Sequence, residues 1–375
     1  MAAAAGERAR NMGNRMTFRS LALAFLVWLA AGLGTAMAAD PRPEVPTGKG
    51  LPVLVKVGVA FLAIESFSEN TGSFKATIDL RARWTDIRLR RPAVEANDPP
   101  RVLRGAAAQA QLEELWVPKV DVINQRGEPS YTELGLRLFP DGGVEMLRRI
   151  SAEFATPVDI GRFPFDHQDL RVELAVRDQT ADTVALEYEQ DDLDFSRASR
   201  NASLDGWEIG PVELLSQPLP GWYGGTHASV VAALEIARHP GPVIASIFIP
   251  LFASLLIPLL GIWLNRVEDG VFQLEAFELV NLIVGGLFAV IALNFTVNSS
   301  YQLLGTGDNP VSRLFALNYL ALGISLMISV ALYRFNVVAG WFGRYVQEQL
   351  YLYLVWAVPL LMLVTAVSVI LVAMA

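Results

Sequence analysis

The sequence predicts an extracellular all-β sandwich, immunoglobulin-like and with about ten strands, followed by a four-helix transmembrane bundle. Residues 39–240 are polar and alternate with a period of two between frequent turn signals. Residues 241–375 contain long uncharged blocks. Residues 1–38 have the pattern of an export signal. These observations divide the chain into a signal peptide, a ligand-binding domain at 39–240 and a transmembrane channel domain at 241–375.

The composition excludes several kinds of site. The chain has 375 residues, no cysteine, three histidines and a formal net charge of −8. Without thiolates there is no disulfide, zinc–thiolate site or iron–sulfur cluster, and the scattered histidines offer little for a metal. An acidic chain is a poor nucleic-acid binder, because that affinity depends on clustered lysine and arginine. We therefore expect no cofactor, no metal and no nucleic-acid partner.

The amino terminus is predicted to be a secretory signal peptide. Arginines precede an apolar run at 21–33, which ends in Ala36-Met37-Ala38. A positive flank, an apolar core and an Ala-x-Ala ending indicate cleavage after Ala38. A retained first membrane anchor is the alternative, although the apolar core is shorter than the ~20 residues that a spanning helix needs.

The soluble half is predicted to consist of strands. Alternation is clearest at 74–85, and segments 170–176 and 230–236 show the same period. A period of two buries one set of side chains and places the other set in water. The expected core set of the first segment is Phe74, Ala76, Ile78, Leu80, Ala82 and Trp84. One short helix is expected at 106–115, and the acidic run 187–194 is expected to be a solvated edge.

Four uncharged blocks predict membrane-spanning helices, because each is long enough to cross a hydrocarbon core of about 30 Å. The helices are expected at about 242–265, 276–299, 312–334 and 349–374. Four spans return the carboxyl terminus to the side of the amino-terminal domain. The charges of the loops give only a weak positive-inside bias, so the signal peptide decides the orientation, with both termini outside.

The second span differs from the others in the face that it presents. Successive members of the set Glu278, Asn281, Gly285, Phe288, Ala292 and Phe295 are separated by three or four residues. Such spacing places them on one side of a helix. One explanation is a helix that lines a water-filled pore between identical subunits. The other is close helix packing through Gly285 and Gly286.

Several motifs precede the four spans in a fixed order. They are Trp84-Thr85-Asp86, Trp116-Val117-Pro118, Phe163-Pro164-Phe165-Asp166-His167-Gln168 and Arg238-His239-Pro240. With them the chain resembles the pentameric ligand-gated ion channels, the Cys-loop receptor superfamily in its bacterial form, over nearly the whole mature chain. The Phe-Pro-Phe-Asp-x-Gln element is the specific one. The resemblance implies a homopentamer in the lipid bilayer of a bacterial inner membrane, with the soluble domain in the periplasm.

The resemblance also implies a coupling role for the loop 156–170. The paired cysteines of the family would fall at Thr156 and Leu170, and bacterial members lack that disulfide. The residues expected to couple ligand binding to the pore are Phe163, Pro164, Phe165, Asp166 and Arg238. They are expected at the membrane surface beside the linker 298–308, with Asp166 and Arg238 as a charge pair. A merely well-packed turn is the alternative.

By the same resemblance, Glu278 falls at the cytoplasmic mouth of the pore. Five copies would form an acidic ring that concentrates monovalent cations. A carboxylate that only complements the helix dipole is the alternative. Phe288 is expected to be a hydrophobic constriction that closes the pore by dewetting, and Phe295 a second, outer constriction.

Agonists of the family bind between subunits, and receptors for amines surround the cation with aromatic rings. Here two positions of that box hold Arg177 and Asp79, and only Trp222 and Tyr223 of the hairpin 221–225 offer aromatic rings. The unidentified agonist is therefore expected to be an anion or zwitterion whose carboxylate Arg177 binds. Solvated strand residues at a vestigial site are one alternative, and gating by protons is another.

A different class of function is a non-conducting periplasmic sensor on a four-helix membrane anchor. It shares the soluble motifs but needs no pore face, so ion flux separates the two. An enzyme is not expected, because the chain has no nucleophile elbow, no His-Glu-x-x-His motif and no phosphate-binding loop.

Overall fold

The computed structural model describes residues 45–46, 51–92, 98–268, 271–273 and 276–374. The predicted signal peptide lies outside the described residues. The sandwich and the membrane helices belong to one unit, formed by residues 46–109 and 118–375. The strands are β1 (Val53–Ser68), β2 (Ser73–Thr85), β3 (Arg101–Arg104), β4 (Val120–Val122), β5 (Gln125–Leu138), β6 (Gly143–Ala155), β7 (His167–Val176), β8 (Val184–Glu187), β9 (Trp207–Ser216), β10 (Leu219–Pro220), β11 (Thr226–His227) and β12 (Ser229–Arg238). The short helices of this half are α1 (Ala106–Glu114) and α2 (Gln190–Phe195).

Ten of these strands form the two sheets of the predicted sandwich. One sheet has the order β3-β5-β6-β2-β1-β8 and the other the order β4-β7-β12-β9. Neighbouring strands are antiparallel, except that β1 and β8 run parallel. The apolar alternation of β2, β7 and β12 supplies the core, and all six expected core residues of β2 are buried. Their burial removes apolar surface from water, which is the main stabilising term.

The structure corrects two sequence-based expectations in this half. Arg81 belongs to the polar set of β2 that was expected in water, yet it is buried. The acidic run at 187–194 is not simply a solvated edge, because much of it forms α2 and fully buries Asp192. The two corrections have one cause: Asp192 Oδ1 accepts hydrogen bonds from Arg81 Nη2 at 2.8 Å and from Arg83 Nη2 at 2.7 Å. A buried charge is tolerated when it is paired in this way.

Four helices of the second half are long and apolar enough to cross a membrane. They are α3 (Pro240–Trp263), α4 (Ala276–Ser300), α5 (Pro310–Arg334) and α7 (Arg344–Met374), with the short α6 (Val337–Phe342) between the last two. A hairpin of β13 (Val267–Glu268) and β14 (Val271–Phe272) connects α3 to α4. The last span begins at Arg344, earlier than the expected 349, because a charged residue at a helix end need not enter the hydrocarbon.

Aromatic residues of α5 and α7 contact the end of α3 and the hairpin that follows it. The hydroxyl of Tyr351 on α7 donates to the carbonyl oxygens of Ile262 at 3.0 Å and Asn265 at 2.6 Å. The ring of Phe272 lies 4.5 Å from the ring of Tyr333 and 5.2 Å from that of Tyr351, centre to centre. The end of α3 and the segment that leads into α4 are therefore held by α5 and α7.

Candidate pore, coupling junction and ligand cavities

Helix α4 buries one side against its own subunit. Its buried residues are Leu279, Ile283, Gly286, Val290 and Val297. Gly286 has no room for a side chain, because a Cβ there would lie 2.5 Å from Cγ2 of Ile257 on α3. A Cβ at Gly285 would meet no atom within 4 Å. Close helix packing thus accounts for Gly286, while Gly285 belongs to the outward side.

The outward side of α4 carries every residue of the expected pore face. Glu278, Asn281, Gly285, Phe288, Ala292 and Phe295 are all exposed in the single subunit. Phe288 is 68% exposed and Phe295 76% exposed, which is far more than a side chain buried in its own subunit would show. Large apolar side chains exposed along one helix face indicate a contact with another molecule or the lining of a narrow aqueous space.

Phe277 belongs to this face as well, although it is not among the pore-face residues expected from the sequence. It is 71% exposed, and it precedes Phe288 by 11 residues. At 3.6 residues per turn the two rings are only about 20° apart around the helix axis, whereas Glu278 lies about 80° from Phe288. The apolar line therefore extends to the first turn of α4, and Glu278 sits at the edge of the face.

The end of β12 meets the loop 156–170 through a buried ion pair. Arg238 Nε donates to Asp166 Oδ1 at 2.7 Å and its Nη2 donates to Asp166 Oδ2 at 3.0 Å. Arg238 Nη1 also lies 3.0 Å from Glu69 Oε1, in the turn between β1 and β2. Burial opposes the charge of Arg238, but hydrogen bonds and attraction from the two carboxylates outweigh it and raise the pKa of Arg238. The charge pair expected from the sequence is present.

Aromatic rings enclose the same guanidinium. Its central carbon lies 4.2 Å from the ring centre of Trp207 and 4.9 Å from that of Phe163. Cation–π attraction is strongest where water is excluded, and the side chain of Arg238 is only 6% exposed. The turn after β1, the start of β9, the end of β12 and the loop 156–170 therefore converge on one charge.

The loop 156–170 reaches the membrane half through apolar contacts. Phe163 is fully buried among residues of the helices, and its ring lies 5.8 Å from that of Tyr301, directly after α4. Gly307 lies against Ile160, because a Cβ on the glycine would be 3.4 Å from Ile160 Cδ1. The structure thus places this loop beside the expected linker 298–308. Pro164 is buried, whereas Phe165 is only half-buried.

Hydrogen bonds close the loop 156–170 near Thr156 and Leu170, the positions that the resemblance assigns to the family's paired cysteines. Thr156 Oγ1 donates to the carbonyl oxygen of Asp169, next to Leu170, at 2.6 Å. Gln168 Nε2 donates to Asp166 Oδ2 at 2.7 Å, and its Oε1 accepts from the backbone of Asp159 at 3.0 Å. Gln168 therefore orients the carboxylate that Arg238 binds.

Arg177 lines a cavity of about 390 Å³ on the sandwich. Its Nη2 lies 3.5 Å from Asp121 Oδ2, and both side chains are largely exposed, so this pair is weak. Arg148 lines the same cavity, and burial lowers its pKa despite the nearby charge of Asp121. Arg148 Nη2 donates to the carbonyl oxygen of Val120 at 2.9 Å. Two guanidinium groups thus border a space large enough for a small ligand.

Asp79 lines a different cavity, of about 280 Å³, with Arg104, Glu133 and Arg149. Arg149 Nε and Nη2 both donate to the Asp79 carboxylate, each at 2.8 Å. Hydrogen bonding to that carboxylate is the main reason why the pKa of Arg149 is raised. Within one subunit the structure does not bring Arg177 and Asp79 together.

The aromatic pair lies at the tip of the ribbon formed by β10 and β11. Trp222 and Tyr223 are almost fully exposed, and Tyr223 has a positive φ of 56°. At the base of the ribbon His227 Nδ1 lies 2.9 Å from the carbonyl oxygen of Gln179, two residues after Arg177. The ribbon therefore starts near Arg177 while its rings contact nothing that would bury them. Within the described residues no group of three or more His, Cys, Asp or Glu side chains could hold a metal ion.

Sequence reasoning missed Glu69, Trp207, Arg148 and Arg149 as parts of these sites. A basic pair in the middle of a strand is a visible signal for the two arginines. Glu69 and Trp207 carry no local signal, because their partner Arg238 is far away in the chain and only the fold joins them.

Sequence comparison finds relatives among channel proteins. A family model described as "Neurotransmitter-gated ion-channel ligand binding domain" matches residues 40–240. The chain is 26% identical over 278 residues to "Proton-gated ion channel" of Gloeobacter violaceus, which covers 73% of this chain and 71% of that protein.

Two animal receptor subunits are also similar. The chain is 26% identical over 266 residues to "Glycine receptor subunit beta" of Homo sapiens, covering 62% of this chain and 48% of that subunit. It is 30% identical over 168 residues to "Gamma-aminobutyric acid receptor subunit pi" of Bos taurus, covering 44% of this chain and 34% of that subunit. The chain thus matches about half of the first subunit and a third of the second.

Proposed function

Because the chain belongs to the neurotransmitter-gated ion-channel ligand-binding-domain family, whose members form pentameric ligand-gated channels, we propose that it conducts cations when a small ligand binds between its subunits. The observation that carries the proposal is the outward face of α4, where phenylalanine rings and a carboxylate are exposed in the single subunit. Membership of this channel family also excludes an enzyme and makes the chain a multi-pass membrane protein.

The proposed pore is lined by α4 from each of five subunits. Phe288 forms the narrow apolar ring, Phe295 an outer ring, and Asn281, Gly285 and Ala292 line the wider stretches. A ring of phenylalanine excludes water when it is narrow and admits ions when it widens. Glu278, at the edge of the face, selects cations through the field of five carboxylates rather than by contact.

The proposed coupling runs through the junction around Arg238. Ligand binding at the hairpin 221–225 shifts the sandwich, and the loop containing Phe163 to Asp166 transmits the shift to Tyr301 and the start of the linker after α4. A ligand achieves this only by binding the open arrangement more tightly than the closed one. The buried pair of Arg238 and Asp166 supports this role, because it joins the end of β12 to the loop 156–170 and, through Glu69, to the turn after β1.

The proposed location is a bacterial inner membrane, with the sandwich and the carboxyl terminus in the periplasm. The predicted signal peptide and the four candidate spans support this orientation. Identical subunits and lipid are then lasting partners, and monovalent cations and an agonist are transient ones.

The proposed agonist is a small zwitterion or anion. Arg177 on one side of the site binds its carboxylate, and the paired Asp79 and Arg149 of the adjoining subunit face its other end. Trp222 and Tyr223 close over it. Support comes from the weak hold of Asp121 on Arg177, which leaves that guanidinium free to bind a carboxylate in a bidentate manner.

The pore is tested without knowledge of the agonist, by the standing current of Phe288→Ala in asymmetric NaCl. Removing the apolar ring is expected to wet the pore, so current flows without ligand and reverses near the sodium potential. Phe342→Ala is the matched control, because Phe342 is 66% exposed but lies outside α4; it is expected to carry no standing current. Reversal near the chloride potential would refute the role of Glu278.

Absence of current in Phe288→Ala, with pentamers present at the cell surface, would favour the non-conducting sensor. If the current of Phe288→Ala stays fully cation-selective after Glu278→Gln is added, then α4 lines the pore but Glu278 does not select the ions. The channel would then stand, and the proposed role of Glu278 in selectivity would be refuted.

The ligand site is tested by applying glycine, γ-aminobutyrate and acid to the wild type and to Arg177→Ala. If a carboxylate ligand opens the channel, loss of a charged hydrogen bond should raise its half-activating concentration about 10- to 100-fold. Arg171→Ala on β7, the strand that ends just before Arg177, is the control and should change little. Opening by acid alone, equal in both variants, would instead favour protons as the stimulus, in line with the relative named a proton-gated channel.

A further inference from the structure

Helix α7 contains a proline in its interior, and a neighbouring helix compensates for it. Pro359 has no N–H, so the carbonyl oxygen of Val355, four residues earlier, lacks its normal helix donor. Trp263 at the end of α3 donates from Nε1 to that oxygen at 2.8 Å. Because lipid offers no donor, an unpaired carbonyl there is costly, and the indole satisfies it. A side chain of α3 therefore binds the backbone of α7 at the position that Pro359 leaves free.

A second contact runs in the opposite direction, from a side chain of α7 to the backbone of α3. Tyr351 lies one turn before Val355 on α7, and its hydroxyl is 3.0 Å from the carbonyl oxygen of Ile262 and 2.6 Å from that of Asn265. Ile262 belongs to the last turn of α3, whose carbonyls have no donor further along the helix. Each helix thus supplies a donor that the other helix lacks. Trp263 and Tyr351 together are named the reciprocal clamp.

The reciprocal clamp lies beside the hairpin that connects α3 to α4. The ring of Phe272 on β14 lies 5.2 Å from that of Tyr351 and 4.5 Å from that of Tyr333, and the two tyrosine rings are 5.9 Å apart, centre to centre. Both tyrosines are buried, so this contact is closed to water. Tyr351 therefore holds the end of α3 through its hydroxyl and the hairpin through its ring.

The hairpin leads into the turn of α4 that carries Glu278. Ala276, the first residue of α4, packs against the helix core, and Leu279 in the same turn is buried. Glu278 between them is exposed. Its carboxylate thus stands on a turn that is fixed by packing on the subunit side. A displacement of the hairpin or of the end of α3 therefore displaces Glu278.

We propose that the reciprocal clamp makes α7, which contributes no residue to the proposed pore face, a determinant of ion selectivity. Tyr351 and Trp263 are positioning residues, because they act on the ions only through the place that they give to Glu278. The proposal rests on the proposed cation channel, since it needs ions that sense this carboxylate. The field of five carboxylates depends on their distance from the ions, so displacing the ring weakens selection although no charge is lost.

The first test measures selectivity in the Phe288→Ala background, whose standing current needs no agonist. Tyr351→Phe removes the hydroxyl but keeps the ring beside Phe272. It should lower the ratio of sodium to chloride permeability several-fold, as measured from the reversal potential in asymmetric NaCl. Tyr353→Phe is the matched control, because Tyr353 is on the same helix but 73% exposed, and it should leave the ratio unchanged. An unchanged ratio in Tyr351→Phe would overturn the proposal.

The second test removes the other half of the clamp and asks where the clamp acts. Trp263→Phe loses the indole donor and should lower the same ratio, whereas Trp356→Phe, at a 75% exposed position of α7, should not. Adding Tyr351→Phe to Glu278→Gln should lower the ratio no further than Glu278→Gln alone, because the clamp acts through that carboxylate. Losses that simply add would contradict this positioning role.

A structural measurement separates failure of this proposal from failure of the proposed channel. The natural chain has no cysteine, so a spin label on Val271→Cys, a 58% exposed residue of the hairpin, reports distances between subunits without any current. The distance distribution should be broader in Tyr351→Phe than in Tyr353→Phe, and equal distributions would overturn the proposal. If the distribution broadens but Phe288→Ala itself carries no current, the proposed function is refuted, and the role in selectivity is refuted with it.

Discussion

The sandwich and the membrane helices bury different kinds of polar group. The buried polar residues of the sandwich include the charged Arg81, Asp86, Glu145, Asp166 and Asp192. Those described for the membrane half are all uncharged: Ser254, Asn265, Asn309, Asn318, Ser325, Ser329 and Gln347. We attribute this contrast to the different surroundings of the two halves, water for the sandwich and lipid for the helices.

The difference follows from the cost of moving a charge away from water. Charged side chains of the sandwich stay in water until folding brings them together. Each of its buried carboxylates then pairs with an arginine, as Asp192 pairs with Arg81 and Arg83. In lipid the same charge has no alternative partner, and its insertion is costly. Helices there are pinned by neutral amides, such as that of Asn318, which donates to the carbonyl oxygen of Leu251 at 3.1 Å.

The largest effect should come from placing a charge where the membrane half uses an amide. Asn318→Asp buries a carboxylate with no cation nearby, which costs several kcal/mol. We expect little or no folded pentamer by size-exclusion chromatography in detergent. Asn281→Asp makes the same chemical change on the exposed face of α4 and should assemble normally. Normal assembly of both variants would remove the contrast between the halves.

A smaller effect is expected from removing a charge where the sandwich uses one. Asp192→Asn leaves Arg81 and Arg83 without their shared buried partner, at a cost of about 3–5 kcal/mol. The thermal midpoint of the sandwich should fall by roughly 10 °C, since each kcal/mol shifts a domain of this size by about 2–4 °C. Asp194→Asn, an exposed position on the same helix, should shift it by less than about 2 °C. Equal shifts would mean that the pairing does not stabilise α2.

The smallest effect tests whether the membrane half depends on packing at one position of α4. Gly286→Ala forces Ile257 to move and should cost about 1–3 kcal/mol of stability. Gly285→Ala meets no atom, and alanine is the better helix former, so it should be neutral or slightly stabilising. Thermal denaturation of the two variants, differing by one position, checks this directly. A neutral Gly286→Ala would contradict the close contact with α3.

Local sequence patterns predicted the strands and helices better than they predicted which side chains pair across the fold. Alternation in β2 identified its core residues, because a period of two depends only on neighbours in the chain. It failed at Arg81, whose burial depends on Asp192, more than a hundred residues away. The acidic run containing Asp192 resembles a solvated edge for the same reason. Pairing across the fold has no signature in either segment alone.

The functional residues divide in the same way. The Phe163–Asp166 motif and the face of α4 are visible as local patterns, and the structure places Asp166 on Arg238 as expected. Phe277 was overlooked because the charge of Glu278 marked the mouth of the predicted pore, although helix geometry aligns Phe277 better with Phe288. Arg177 and Asp79 line separate cavities of one subunit, so a site that contains both requires two subunits, and pairing between subunits has no local pattern in the sequence.

The contacts of Tyr351 also determine when the end of α3 is fixed during synthesis of the chain. The hairpin before α4 is fastened by a residue of α7, which leaves the ribosome only after α4 and α5 have been made. A nascent chain with three spans inserted has no hydroxyl to hold the carbonyl oxygens of Ile262 and Asn265. The end of α3 therefore gains this hydrogen-bond donor last, whereas Phe272 can already pack against Tyr333 of α5. Quality control that acts before the fourth span emerges would encounter a bundle that is only partly held together at that end.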